Sequence, residues 1–347
     1  MELDVLRLAV DYYHYLLNAE LHINEWVQDR LSLAEPLFRY VSVFLEPGNL
    51  FNVLIPLLGI CGQDLLTHLV YALSLVSAVS SFEKWIYPEW RPLWRLRELY
   101  ADVHGIRPRV ALQCHDLSCE TSGGMPCAHT MTWTALLMVV SAHLPLKGRT
   151  ASWRPLVHLL IGCCTLCMWL SRLYLATEYL HQCLLSTYIA VSLLASCQRH
   201  LDYLYAQRRG WAVLLVLLFG FMAVSVYFIK LQLGIDPHWS VRQSFKWCPE
   251  PTYMRHESSP IFLLARDLGN LMGVALSLPL VQLRTYKSKY SHRFLGIVFL
   301  ELLNYILRLC TPKQHGRFLF LAYEFTRNAL HSLILVKILP KFLNKQS

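Results

Sequence analysis

Charge is scarce in this sequence: Asp, Glu, Lys and Arg make up 16% of the 347 residues, against 55% apolar. Soluble domains carry about 25% charged residues, so the deficit excludes an ordinary water-soluble fold. The apolar residues instead gather into runs of the roughly 17–25 residues that cross a bilayer, and lipid is the expected surroundings. No N-x-[ST] sequon occurs, which removes glycosylation as a guide to sidedness. No C-x-x-C pair is matched by a second, which argues against a structural zinc site; neither metal nor cofactor is expected. Internal repeats and low-complexity stretches are missing. The first twenty residues include acidic side chains and no basic n-region ahead of a short apolar core. That argues against a cleaved signal peptide, and the first span is expected to act as its own insertion signal.

What charge there is leans positive, with a net +9. A nucleic-acid partner is not expected, because the Lys and Arg flank apolar runs and form no basic repeat interleaved with aromatics. Of eleven cysteines, Cys163, Cys164, Cys167, Cys183 and Cys197 lie inside apolar runs and read as small buried hydrophobes. Cys114, Cys119 and Cys248 fall in loops, where any two can pair if the loops face an oxidising compartment.

Apolar runs bounded by charge or turn residues predict about nine spans, near 41–61, 65–83, 130–146, 154–171, 179–197, 210–232, 260–283, 291–309 and 317–339. The first is the weakest, interrupted by Glu46-Pro47-Gly48. Residues 1–35 read as amphipathic and partly helical, with Trp26 suited to the interface. The fold class is therefore all-α: one integral-membrane domain over 1–347, with a core about 46–200 and additional C-terminal spans about 210–339. Sidedness follows from Lys and Arg in short loops. Lys147, Arg149 and Arg154, then Arg199, Arg208 and Arg209, then Arg284, Lys287, Lys289 and Arg293 fall on one side, joined by the tail with Lys341 and Lys345. That side is expected to be cytoplasmic. The opposite face receives loops 84–129, 172–178 and 233–259.

Those opposite loops carry the polar motifs. Lys84, six residues, then Arg91-Pro92 places two cations where both can reach one anion, the arginine as a planar fork. Pro126-Cys127-Ala128-His129 immediately precedes the span opening at Thr130. Free N–H groups of a first helical turn make an anion site, and His129 is placed to donate a proton to a leaving oxygen. Ser171-Arg172 supplies a third cation, followed by Glu178 and His181-Gln182. Three cations on one face suit a phosphoryl dianion.

The order K-x6-R-P, P-x-x-H, S-R resembles the signature of the type-2 phosphatidic acid phosphatase superfamily. Cys119-Glu120-Thr121, Ser171-Arg172-x-Tyr174-Leu175-Ala176, Trp247-Cys248 and Pro260 through Leu268-Gly269 are similar to its glucose-6-phosphatase branch. That resemblance implies nine spans, residence in the endoplasmic reticulum membrane, a luminal active site and a cytoplasmic C-terminus. It further implies hydrolysis of glucose 6-phosphate to glucose and phosphate without a metal, coupled to a separate glucose 6-phosphate transporter. Lys84, Arg91 and Arg172, with N–H groups near Cys127 and Ala128, would bind phosphate, and His129 would be the general acid. Position 178 would be the nucleophilic histidine.

This chain has Glu178 there, Cys127 where the pattern has serine and Ala128 where it has glycine. A carboxylate about 4 Å from a phosphoryl charge opposes it by roughly 4 kcal/mol at an effective dielectric near 20. Three readings keep turnover: Glu178 forms an acyl phosphate, Glu178 activates water, or His181 moves inward from nearly the same helical face. The alternative is a phosphate-ester-binding protein of the same fold with impaired chemistry.

Overall fold

The computed structural model describes residues 2–101, 110–145, 152–281, 289–312 and 316–346, and among these the chain is helical. The one β-feature among them is an isolated parallel bridge between Glu120 and Arg255. Helix α1 (Glu2–Arg30) realises the amphipathic N-terminal segment. Next come α2 (Glu35–Phe44) and α3 (Pro47–Gly59), bent by 58° at the Glu46-Pro47 break. The interrupted first span is thus a broken helix, because proline removes a donor and clashes with the preceding turn.

The remaining predicted runs are each helical: α4 (Gln63–Ile86), α6 (Ala128–His143), α7 (Arg154–Tyr174), α8 (Leu180–Arg199), α9 (Arg209–Gln232), α11 (Pro260–Ser277), α12 (Tyr290–Leu309) and α13 (Arg317–Leu333). Two short helices, α5 (Pro92–Leu99) and α10 (Trp239–Trp247), lie in segments expected as loops. Among the described residues, four helices (α4, α7, α8 and α9) are long and apolar enough to cross a membrane, or five if the bent α2–α3 pair is one span. Of the basic loop residues, Lys147, Arg149, Arg284 and Lys287 lie outside the described residues.

Helix α4 is the centre of the bundle. Its apolar window is 72% buried, against 11% for α9, whose side chains face outward. Leu69, Leu73 and Val76 of α4 pack with Met131, Ala135 and Val139 of α6 and with Ala190 and Leu194 of α8, the i, i+3, i+4 spacing of a buried helical stripe. Helices α11 and α13 approach closely at Gly273, where a Cβ would lie 2.3 Å from the Ala329 carbonyl oxygen; small residues permit such contact. This frame holds the ends of α4, α6 and α7 together, and the polar motifs sit at those ends.

Candidate functional site

Each site residue is presented by a helix end. Lys84 occupies the last turn of α4, Arg91 is the N-cap of α5 ahead of Pro92, and Arg172 lies in the last turn of α7. Helix α7 closes with a Schellman motif: the Thr177 N–H donates to the Arg172 carbonyl at 3.2 Å and the Ala176 N–H to Leu173 at 3.0 Å. Ala176 takes φ 50°, a left-handed conformation that favours glycine and costs about 1–2 kcal/mol for other residues. That turn folds Glu178 back onto Arg172.

Arg91 and Arg172 are both fully buried, and the structure surrounds them with carboxylates. Glu178 Oε2 accepts from Arg172 Nε at 2.7 Å and lies 2.5 Å from the Thr177 hydroxyl. Its Oε1 accepts from Arg91 Nη1 at 3.1 Å and Arg172 Nη2 at 3.2 Å. Glu120 bridges the same arginines from the other side, 2.9 Å from Arg91 Nη2 and 2.5 Å from Arg172 Nη2. The remaining Arg91 donors go to Ser122, Gly123 and Thr177 carbonyls, and Arg172 Nη1 reaches Ser42 of α2 at 2.8 Å. All five N–H groups of Arg91 are thereby committed. Where the sequence predicts an open arginine clamp, the fold builds a closed ring of two arginines and two carboxylates.

The electrostatics follow from that ring. Burial pushes the Glu178 carboxyl up, but Arg172 and Arg91 more than reverse it and hold it at about 2. Burial likewise raises Glu120, and the same two arginines hold it well below the usual carboxylate range. Both carboxylates are therefore ionised at neutral pH. Lys84 donates to the Gly123 carbonyl at 2.6 Å. Close packing at Gly124, where a Cβ would fall 2.6 Å from Gln182, sets this loop against α8.

The second motif departs from its expected role. Cys127 is the N-cap of α6, and its sulfur accepts from Thr130 N–H at 3.4 Å and the Thr130 hydroxyl at 3.2 Å. Its own N–H donates to Ser186 at 2.7 Å. In this structure the thiol caps its own helix and Ser186 of α8 takes the Cys127 N–H. Ala128 opens α6 directly beside it. His129, one residue further, is buried and its Nε2 has no hydrogen-bond partner, an unusual state for a buried polar atom. His181 does not move into the ring; its Nδ1 lies 2.7 Å from Glu20 of α1.

Several contributors carry no signal in sequence spacing. Asn24 of α1 donates to the carbonyls of Leu173 and Glu178 at 2.9 and 3.1 Å, and Gln28 to Tyr174 at 2.6 Å. Helix α1 thus lies across the α7 end and the Glu178 loop. From the C-terminal half, Arg255 N–H donates to Cys119 at 3.2 Å and Ser258 accepts from Thr121 N–H at 2.9 Å. Cys119 and Cys248 form a disulfide with Cα atoms 6.0 Å apart, which leaves Cys114 as a free thiol. The bridge sits one residue from Glu120, so the carboxylate that spans both arginines is tied to the α10 end.

Residues 65–206, which carry Lys84, Arg91, His129, Arg172 and Glu178, match the PAP2 superfamily. Glucose-6-phosphatase catalytic subunit 1 of Haplochromis nubilus is 25% identical over 333 residues, covering 92% of this chain and 93% of the relative. The Mus musculus protein of that name is 26% identical over 317 residues, covering 87% and 88%. Glucose-6-phosphatase 3 of Mus musculus is 27% identical over 274 residues, covering 76% and 75%. No solved structure matches the chain significantly. Residues 65–206 thus read as a PAP2 superfamily domain within an all-helical fold. Across most of its length the chain is similar to these glucose-6-phosphatases.

Proposed function

We propose that this protein is a phosphomonoester hydrolase of the glucose-6-phosphatase type, acting on glucose 6-phosphate at the luminal face of the endoplasmic reticulum membrane. The observation that carries the reading is the convergence of Lys84, Arg91, Arg172 and the partnerless His129 Nε2 at adjoining helix ends. In the proposed reaction the phosphoryl group displaces Glu178 from one arginine, and a Glu178 oxygen attacks phosphorus. The P–O bond to the sugar breaks, and His129, having taken the proton of the monoanionic phosphoryl group at Nε2, passes it to the leaving oxygen. Water then cleaves the acyl phosphate, with His129 accepting its proton, and phosphate leaves. The helical runs are read as nine spans in one integral-membrane domain over 1–347 with a cytoplasmic C-terminus. The Cys119–Cys248 disulfide supports a luminal site, since such bonds persist in oxidising compartments. Substrate supply by a glucose 6-phosphate transporter follows from that topology.

A second reading has its own observation: with all Arg91 donors committed, the site binds phosphate esters and turns them over poorly. Membranes containing the protein are expected to release phosphate from glucose 6-phosphate and to lose this with His129→Ala. A phosphoenzyme trapped in acid should be cleaved by hydroxylamine, as an acyl phosphate is and a phosphohistidine is not. Release no higher than in control membranes, together with at least a hundredfold gain for Glu178→His, would decide for the second reading.

A further inference from the structure

The charge carried by the ring bears on which anion it accepts. Three cations, Lys84 from α4, Arg91 ahead of α5 and Arg172 from α7, face two carboxylates, Glu120 and Glu178. The groups around them leave that balance in place. Arg255 is paired with Glu46 at 2.5 Å. His129 is buried with Nε2 on no carboxylate and is counted neutral, as are the Cys127 and Cys183 thiols; ionisation of Cys127 would only lower the sum. Burial opposes both carboxylates, yet the arginines hold them below the usual range, so both stay ionised from about pH 5 upward. The buried ring together with Lys84 therefore presents one net positive charge. A histidine at position 178, neutral in its place, would leave two.

Resting on the reading of this cluster as a phosphate-ester site, we infer that it selects monoanionic esters over dianionic ones. A dianion brought onto the ring leaves a buried excess negative charge, and uncompensated charge in a low-dielectric site is expensive. A monoanion closes the balance. For glucose 6-phosphate this is the singly ionised form, which dominates below a second ionisation near pH 6. A sulfate ester is a monoanion at every pH of interest, with the same tetrahedral oxygens.

The test uses the purified full-length protein and reads binding by ligand-induced thermal stabilisation and by competition, so it does not depend on turnover. Glucose 6-phosphate is expected to bind roughly 25-fold more tightly at pH 5.5 than at pH 7.5, the ratio of its monoanion fractions for an ionisation near 6. Glucose 6-sulfate should bind equally at both pH values and exceed glucose 6-phosphate at pH 7.5. Glu178→Gln should reverse that order by making the dianion the matched ligand. Glucose 6-phosphate binding that is flat or tighter at pH 7.5, or a sulfate ester that fails where the phosphate ester binds, overturns the selectivity. Failure of both esters and of inorganic phosphate at either pH overturns the phosphate-site reading and this inference with it. Turnover failing while the binding pattern holds would break only the hydrolase proposal.

Discussion

Two buried clusters of arginine and carboxylate stand among the described residues, built from the same chemistry by opposite routes. At the ends of α4, α6 and α7, Arg91 pairs with Glu178 across 87 positions of sequence and with Glu120 across 29. Between α11, α12 and α13 the partners are neighbours. Arg266 binds Asp267 beside it, and Arg327 binds Glu324 three residues back at 2.6 Å. The local pairs need only one helix to form, and packing then adds Asn304 and Thr311 to them. The distant set exists only when the segments carrying Arg91, Glu120 and Arg172–Glu178 have met. Charges neutralised locally are carried by a buried helix at low cost, whereas charges converging from afar mark a place the fold was organised around.

That contrast can be broken by mutation, and the largest effect is expected at the convergent ring. Arg172→Leu leaves Glu120 and Glu178 buried with half their donors gone, and breaking a buried pair from one side costs about 3–5 kcal/mol. Thermal unfolding of the purified variant checks this; a loss under 1 kcal/mol would mean the ring relaxes to water.

A comparable effect should appear with acid. The Glu178 carboxyl is held at about 2, against an ordinary value near 4.3. A depressed carboxylate contributes stability that is present above its unfolded value and lost as pH falls through the folded one. Stability should therefore drop on the order of 3 kcal/mol between pH 4.5 and 2, and Glu178→Gln should flatten that slope. An unchanged slope in the variant would assign the acid sensitivity elsewhere.

The smallest effect belongs to the local cluster. Glu324→Gln combined with Arg327→Met removes both charges together, and such paired replacements are often neutral. Stability should move by about 1 kcal/mol or less with phosphate-ester binding unchanged. A collapse of binding would show that the two clusters are coupled and the comparison false.

Much of this was legible in the sequence, for specific reasons. Helices were visible because Leu69, Leu73 and Val76 repeat at helical spacing, and the motif cations were visible because six residues separate Lys84 from Arg91. Glu120 was visible only as part of a family resemblance; nothing in its spacing indicates that it bridges two arginines. Asn24, Gln28 and Ser42 were invisible, because a polar residue on an amphipathic helix reads as solvated until a carbonyl is placed against it. Helices α5 and α10 were missed because each is short and mixed in polarity, ordered by contacts such as Trp90 and Trp94 on Trp239. The Cys127 thiol stands where the pattern has serine, and capping its own helix depends on local geometry that residue type does not specify.

The bridging of the ring loop to residues 248, 255 and 258 has a genetic consequence. A message interrupted just after codon 245 would encode every motif residue, from Lys84 to Glu178, and the whole segment that matches the superfamily. The product would still lack the partner thiol for Cys119, the backbone donor to its carbonyl and the serine that accepts from Thr121. Glu120 would sit in a loop with nothing behind it. Loss-of-function alleles are thus expected well downstream of the signature, where reading the motifs alone would class a truncation as harmless.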